Sequence, residues 1–220
     1  MTSLGKNVET VLLTSYEDIR AMEYVMNVAV IGTGNIGGTL GRALARAGMD
    51  VRIGSRRPEA AASVGGDSGA RVVTVDEALE GADVVLIAVP GGRVVDFLRD
   101  HADALDGKLI VDSANRIGWP TANSSADVAE LVPGARYARA FNSYGWEVFE
   151  RPVFDGERAD LIYTAEEADQ ATVEQLIEAV GLRPIPLGPG QADMLDTALR
   201  LMLPLFPRYG RHTALRFLTD

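Results

Sequence analysis

Three glycines with the spacing G-x-G-x-x-G stand in the run Val28-Ala29-Val30-Ile31-Gly32-Thr33-Gly34-Asn35-Ile36-Gly37-Gly38. Gly32 suits a tight turn, Gly34 a backbone that comes close to a pyrophosphate, and Gly37 close packing of a helix on a strand. The backbone N–H groups of Asn35, Ile36 and Gly37, where that helix starts, would face phosphate oxygens, helped by the helix dipole. When such a turn serves NAD, an acidic residue about 20 positions further on takes the ribose 2′-hydroxyl. Here that place holds Gly54-Ser55-Arg56-Arg57. A guanidinium pairs with phosphate through two parallel hydrogen bonds, so these residues point to the 2′-phosphate of NADP(H). Thr33, inside the turn, offers a further hydroxyl.

The rest of the chain must position that turn between a strand and a helix. Hydrophobic patterning predicts strands over 27–31, 50–54, 71–74, 82–89, 108–112 and 136–141, with helices over 36–47, from Pro58, over 76–79, 94–105 and 126–131. The stretch 82–89 is almost wholly apolar, as a central parallel strand buried on both faces should be. A polar loop is expected over 113–125. From 143 to 158 the pattern is irregular. It resumes with a strand at 159–164, a helix at 166–180, a strand at 183–187 and a last helix at 191–205. Alternation of this kind predicts an α/β fold, a doubly wound parallel Rossmann sheet with a smaller C-terminal α/β segment. The expected organisation is an N-terminal extension over 1–25, with helical spacing over 8–26, a nucleotide-binding unit over 26–150 and a small C-terminal domain over 151–220. The extension reads as a tail, Met26 as a second start, and a lid or dimer arm as the alternative. Val89 and Pro90, closing the strand at 82–89, are placed to support the ribose or the nicotinamide at the carboxyl edge of the sheet.

Composition narrows the function. The 220 residues carry a formal net charge of −10, which argues against a nucleic-acid partner. There is no apolar run long enough for a membrane span and no basic leader followed by an apolar stretch, so the expected location is cytoplasmic. With no cysteine there is no disulfide or thiolate metal site, and no H-E-x-x-H spacing occurs, so no metal is expected. Lys6 and Lys108 are the only lysines and His101 and His212 the only histidines. No tyrosine is followed four residues later by lysine, no lysine follows Lys108, and neither histidine sits in a motif that pairs it with a carboxylate. His101 reads as a surface residue. No catalytic residue is assigned. A reduced-nicotinamide site without proton-transfer groups suits hydride transfer to a flavin-like or deazaflavin ring, for which the protein aligns two rings and excludes water.

The glycine run, together with Gly54-Ser55-Arg56-Arg57-Pro58, Ala140-Phe141-Asn142, Gly181-Leu182-Arg183-Pro184, Gly210-Arg211-His212 and Arg216-Phe217-Leu218, resembles the NADPH-dependent coenzyme F420 reductases, or F420H2:NADP oxidoreductases, over nearly all of residues 26–220. The resemblance implies reversible hydride transfer between NADP(H) and the deazaflavin coenzyme F420. It also implies a homodimer whose second cofactor lies between a large and a small domain. Thr33, Ser55 and Arg56 fall on the family's 2′-phosphate contacts. The loop 112–119 and the stretch 142–146 are more like bacterial relatives. Asn115, Asn142 and Trp146 are the candidates for the acceptor pocket, Trp146 as a surface on which a ring system packs. A reductase of small imines or carbonyls and a non-catalytic NADP(H) sensor stand as alternatives.

Overall fold

The computed structural model describes residues 25–218. The expected N-terminal extension and its helix lie outside the described residues, apart from Val25 and Met26.

The chain alternates strands and helices in the order β1 (Asn27–Ile31), α1 (Asn35–Arg46), β2 (Asp50–Ser55), α2 (Pro58–Ala61), β3 (Arg71–Thr74), α3 (Val75–Leu79) and β4 (Val84–Ile87). There follow α4 (Val94–Asp100), α5 (Ala102–Leu105), β5 (Leu109–Asp112), α6 (Ser125–Leu131), β6 (Arg136–Arg139) and α7 (Trp146–Glu150). The two-residue strands β7 (Val153–Phe154) and β8 (Glu157–Arg158) form a separate hairpin. The chain then continues through β9 (Asp160–Ala165), α8 (Glu167–Ala179), β10 (Arg183–Pro186), α9 (Ala192–Met202) and α10 (Phe206–Tyr209).

Eight strands form one sheet in the order β10-β9-β6-β5-β4-β1-β2-β3. From β3 to β6 all neighbours are parallel. The order reverses between β1 and β4, which is the switch point where doubly wound sheets bind ligands beyond their carboxyl ends. Ile31 pairs with Gly54 on one side and with Ile87 on the other, so the glycine turn leaves the sheet between the ends of β2 and β4. The two C-terminal strands extend the same sheet. β9 runs antiparallel to β6, with Ala138 opposite Ala165, and β10 is parallel to β9. Pro184 and Pro186 in β10 withhold two donors from the outer edge and discourage pairing with a further strand.

Helices cover both faces. One core cluster gathers Leu40 and Leu44 of α1, Val148 and Phe149 of α7, and Leu176 and Ile177 of α8 against the sheet. The other joins Leu79, Val94, Leu98, Leu105 and Val128 on the opposite face. β4 and β5 are buried along their whole length, as strands covered on both faces must be. α3 starts in a capping box: the Thr74 hydroxyl accepts from the Glu77 amide while the Glu77 carboxylate accepts from the Thr74 amide.

Three expectations differ from this architecture. The helix expected over 94–105 is two helices, because His101 leaves the helical conformation at φ −125°. The strands expected over 82–89 and 136–141 stop at Ile87 and Arg139. The stretch 143–158, expected to be irregular, contains α7 and the β7–β8 hairpin.

Candidate functional site

A cleft of about 990 Å³ opens at the carboxyl edge of the sheet over the switch point. Its floor is the glycine turn. The Gly32 amide donates to the Gly54 carbonyl at 3.2 Å, which ties the turn to the end of β2. Gly32 sits at φ +125°, and a Cβ there would lie 2.5 Å from the Ala88 carbonyl oxygen. A Cβ on Gly37 would lie 2.1 Å from the Gly32 carbonyl oxygen. Both glycines are therefore demanded by the fold. Gly34 is different. Its backbone is extended (φ −74°, ψ −177°), and a Cβ there would meet nothing within 4 Å. Fold packing leaves that space free above the start of α1, where a pyrophosphate would approach. No side chain caps α1, so the first-turn amides are left for a ligand.

The wall beyond β2 carries the cations. Ser55 is buried, and its hydroxyl accepts from the Arg57 amide at 3.1 Å, fixing the turn that follows β2. Arg56 and Arg57 are exposed and line the cleft. Among the described residues neither guanidinium has a hydrogen-bond or ion-pair partner. The donor set fits NADP(H): backbone amides for the pyrophosphate and free guanidinium forks for the 2′-phosphate.

Thr33, Gly34, Asn35, Ile36, Ser55, Arg56, Arg57, Val89, Pro90 and Trp146 all line this cleft, together with Gly32. Gly37 lies beneath it, buried. Asn115 and Asn142 do not line it. Asn115 backs it instead: a Cβ on Gly91, just past Pro90, would lie 2.3 Å from the Asn115 carbonyl oxygen. The Asn115 side-chain amide donates to the Asn142 carbonyl at 2.8 Å. The Asn142 side chain is buried, and neither of its polar atoms has a partner. Phe141, just before it, adopts φ +60°, an uncommon conformation for a bulky residue. That residue turns the chain after β6 and packs edge-on to Phe149 at 5.6 Å.

Behind the asparagines lies a buried ionic cluster that the sequence did not signal. The Arg139 guanidinium, at zero exposure, reaches Asp112 at 3.1 Å, Asp196 at 2.7 Å, the Asn115 side-chain oxygen at 2.8 Å and the Ala114 carbonyl at 3.0 Å. Asp196, from α9, also accepts from the amides of Ala122 and Asn123. Burial pushes the Asp112 carboxyl up from its ordinary value. The Arg139 charge, the Tyr137 hydroxyl and the amides of Ser124 and Ala114 pull it back. Burial and the adjacent Asp112 charge push the Tyr137 hydroxyl well above its ordinary value. The cluster joins the polar loop 113–124 to β6 and α9 and so fixes the wall behind Pro90.

Several lining residues were not among the candidates read from the sequence, His101 and Arg211 among them. His101, expected at the surface, lines the cleft, with Nδ1 3.2 Å from an Asp76 carboxylate oxygen and its ring 5.2 Å from that of Phe97. Asp76 follows β3, so this pair stands on the β2–β3 side of the glycine turn. Arg211, from the segment after α10, lines the cleft beside Trp146. Neither has a local motif that marks it; each is delivered by tertiary packing. Among the described residues no cluster of side chains suits a metal ion, and no helix is long and apolar enough to cross a membrane.

This arrangement has relatives. Residues 27–116 match the sequence profile of the family described as NADP oxidoreductase, coenzyme F420-dependent. The metalloreductase STEAP3 of Rattus norvegicus is 28% identical over 173 residues, which cover 73% of this chain and 33% of that protein. The chain thus spans about a third of the length of that relative. Among solved structures, a hypothetical protein of Sinorhizobium meliloti is 28% identical with a TM-score of 0.69, covering 92% of this chain and 100% of that one. A candidate F420-dependent NADP reductase from an Arthrobacter species shares the fold, with a TM-score of 0.76 at 23% identity, covering 88% of this chain and 100% of that one. The match to that family's profile is confined to residues 27–116, the stretch from β1 to the loop after β5.

Proposed function

We propose that this chain is an NADP(H)-dependent oxidoreductase that passes hydride between the nicotinamide and a deazaflavin, coenzyme F420, or a flavin-like ring. The observation that carries the reading is the division of labour along the cleft. The open space over Gly34 and the free guanidiniums of Arg56 and Arg57 suit NADP(H) on the β1–β2 side. The rest of the lining includes Ala88, Val89, Pro90, Arg93, Asp96, Trp146 and Arg211.

When bound, NADPH supplies a hydride at its nicotinamide. The chain's own part is to hold and align. The α1 amides and Arg56 fix the phosphates, Val89 and Pro90 support the nicotinamide end, and Trp146 offers a flat surface for an acceptor ring. Val89, Pro90, Trp146 and Arg211 offer no general acid or base matched to neutral pH. A ring that accepts hydride and exchanges its proton with water requires no such group. His101 does not serve there, because its pairing with Asp76 holds it on the β2–β3 side.

The test is oxidation of NADPH, followed by loss of its absorbance, with coenzyme F420, free flavins and ferric chelates offered in parallel. Turnover with F420 or a flavin supports the reading. Tight NADPH binding without turnover by any of them would leave a sensor in its place.

A further inference from the structure

We propose that Arg211, tethered by Glu147 beside Trp146, is the anion contact of the acceptor half of the cleft, and that it selects acceptors whose ring carries a phosphate-bearing tail. The inference rests on the oxidoreductase reading above and deepens it by naming what holds the second ligand.

Arg211 and Trp146 both line the cleft, and a Cβ on Gly145, the neighbour of Trp146, would lie 3.3 Å from a terminal nitrogen of Arg211. The Arg211 Nε donates to a Glu147 carboxylate oxygen at 2.9 Å. Glu147 follows Trp146 directly, so the ring and the cation are set by one turn of α7. With Nε committed, both terminal nitrogens of the guanidinium have no hydrogen-bond partner among the described residues, and the side chain stays 56% exposed. Its carbon stands 5.6 Å from the centre of the Phe206 ring, which supports the plane without consuming a donor.

The segment that carries Arg211 is strapped down on both sides of the next few residues. His212 stacks on Phe154 at 4.3 Å, and its Nε2 lies 2.8 Å from the Arg151 carbonyl oxygen. The Leu215 amide donates to the Tyr144 hydroxyl at 3.0 Å, and that hydroxyl donates to the Asp160 carbonyl at 2.5 Å. Asp160 in turn binds Arg183 and the Phe217 amide. So much tethering holds an exposed arginine at the rim of the cleft in a chain whose net charge is −10. Arg56 and Arg57 already stand where the 2′-phosphate of NADP(H) would lie, and the α1 amides where its pyrophosphate would lie. Arg211 approaches from α7 and the C-terminal strap, on the other side of the turn. The free donors there suit a second anion, the phosphate of the acceptor.

The experiment uses matched pairs: FMN against riboflavin, and coenzyme F420 against the same deazaflavin without its phosphate tail. Binding to the NADP+-loaded full chain is followed by ring fluorescence, and NADPH oxidation is measured with the same four compounds. In the native protein the phosphorylated member of at least one pair should bind about tenfold more tightly than its partner, the size of one charge-assisted hydrogen bond. Which pair shows the preference separates a flavin from a deazaflavin. Arg211→Ala should abolish the preference by weakening only the phosphorylated member, leave NADP+ affinity within about twofold, and Arg211→Lys should restore part of it. Equal affinities in the native protein, no binding by any of the four, or a matching loss of NADP+ affinity in Arg211→Ala would each overturn the assignment. Preference without NADPH oxidation would refute the oxidoreductase reading and leave the anion contact standing. Oxidation without preference would do the reverse.

Discussion

Gly34→Ala separates cofactor binding from folding in a single methyl group. The backbone at Gly34 has φ −74° and ψ −177°, which any residue adopts without strain, and the added Cβ meets nothing within 4 Å. Two small stability terms then oppose each other. Alanine lowers the entropy of the unfolded chain, worth about 0.4–1 kcal/mol, and it is a poorer N-cap than glycine by a similar amount. The expected change in Tm is no more than about 3 °C for a chain of this size. The methyl group does enter the space where a pyrophosphate would rest on the α1 amides. Overpacking of one methyl costs about 1–3 kcal/mol, a loss of about 5- to 150-fold in affinity. Titration calorimetry with NADP+ and a thermal melt of the same sample give both numbers. Gly32→Ala is the counterpart. There φ is +125° and the Ala88 carbonyl oxygen is 2.5 Å away, so the loss should be in folding itself. Native NADP+ affinity in Gly34→Ala would mean that the pyrophosphate does not cross this turn. A large drop in its Tm would mean that the space above α1 is not open.

Arg56→Ala should weaken NADPH by about 1.5–3 kcal/mol and leave NADH nearly unchanged; equal affinities of the native protein for NADH and NADPH would sink the 2′-phosphate assignment. Asp196→Ala removes one carboxylate from the buried Arg139 and the acceptor for the amides of Ala122 and Asn123. Urea unfolding should show a loss of about 3–5 kcal/mol, and a loss under about 1 kcal/mol would show that the cluster does not bind the loop to α9. The Asp160 carboxyl is pushed up by burial, but Arg183, the Phe217 amide and Arg216 outweigh this and hold it below its ordinary value. Its contribution is therefore present above the ordinary carboxylate range and lost as pH falls through the depressed value. The stability gap between native protein and Asp160→Asn, followed by urea unfolding, should be constant near neutrality and close on acidification below about pH 4; a gap that widens with acid would reverse the sign.

Local pattern carried the N-terminal half of the sheet. The bounds of β1 and β3 are those expected, and the glycine turn with Ser55, Arg56 and Arg57 needs only two neighbouring strands to become a site. What escaped the sequence depends on distant partners. His101 breaks the helix expected over 94–105 as it turns towards Asp76, an interaction across 25 positions that no helical periodicity reports. α7 carries apolar Trp146, Val148 and Phe149 but begins at Gly145 without a side-chain cap, so it lacks the usual signal of a helix start. Arg139 reads as one more polar residue in a short strand, yet it is wholly buried because Asp112 and Asp196 converge on it from β5 and α9. Asn115 and Asn142, expected in the acceptor pocket, meet behind the cleft wall, the Asn115 side chain donating to the Asn142 carbonyl. Arg211 reaches the cleft only because the final segment folds back over β9.

The way β9 joins the sheet bears on how portable the segment 26–150 is. A Rossmann half that ended with its sixth strand as a free edge could be lifted out and spliced to another protein. Here β6 is an interior strand, flanked by β5 and by an antiparallel β9. A transplant ending near residue 150 would carry a raw strand edge into water and strand the Arg139 charge with half its counterions. The smallest graft that takes the cleft intact runs on through α9 and the segment that returns to Leu215. Shuffling of this module between proteins must therefore add at its ends and leave the interior uncut.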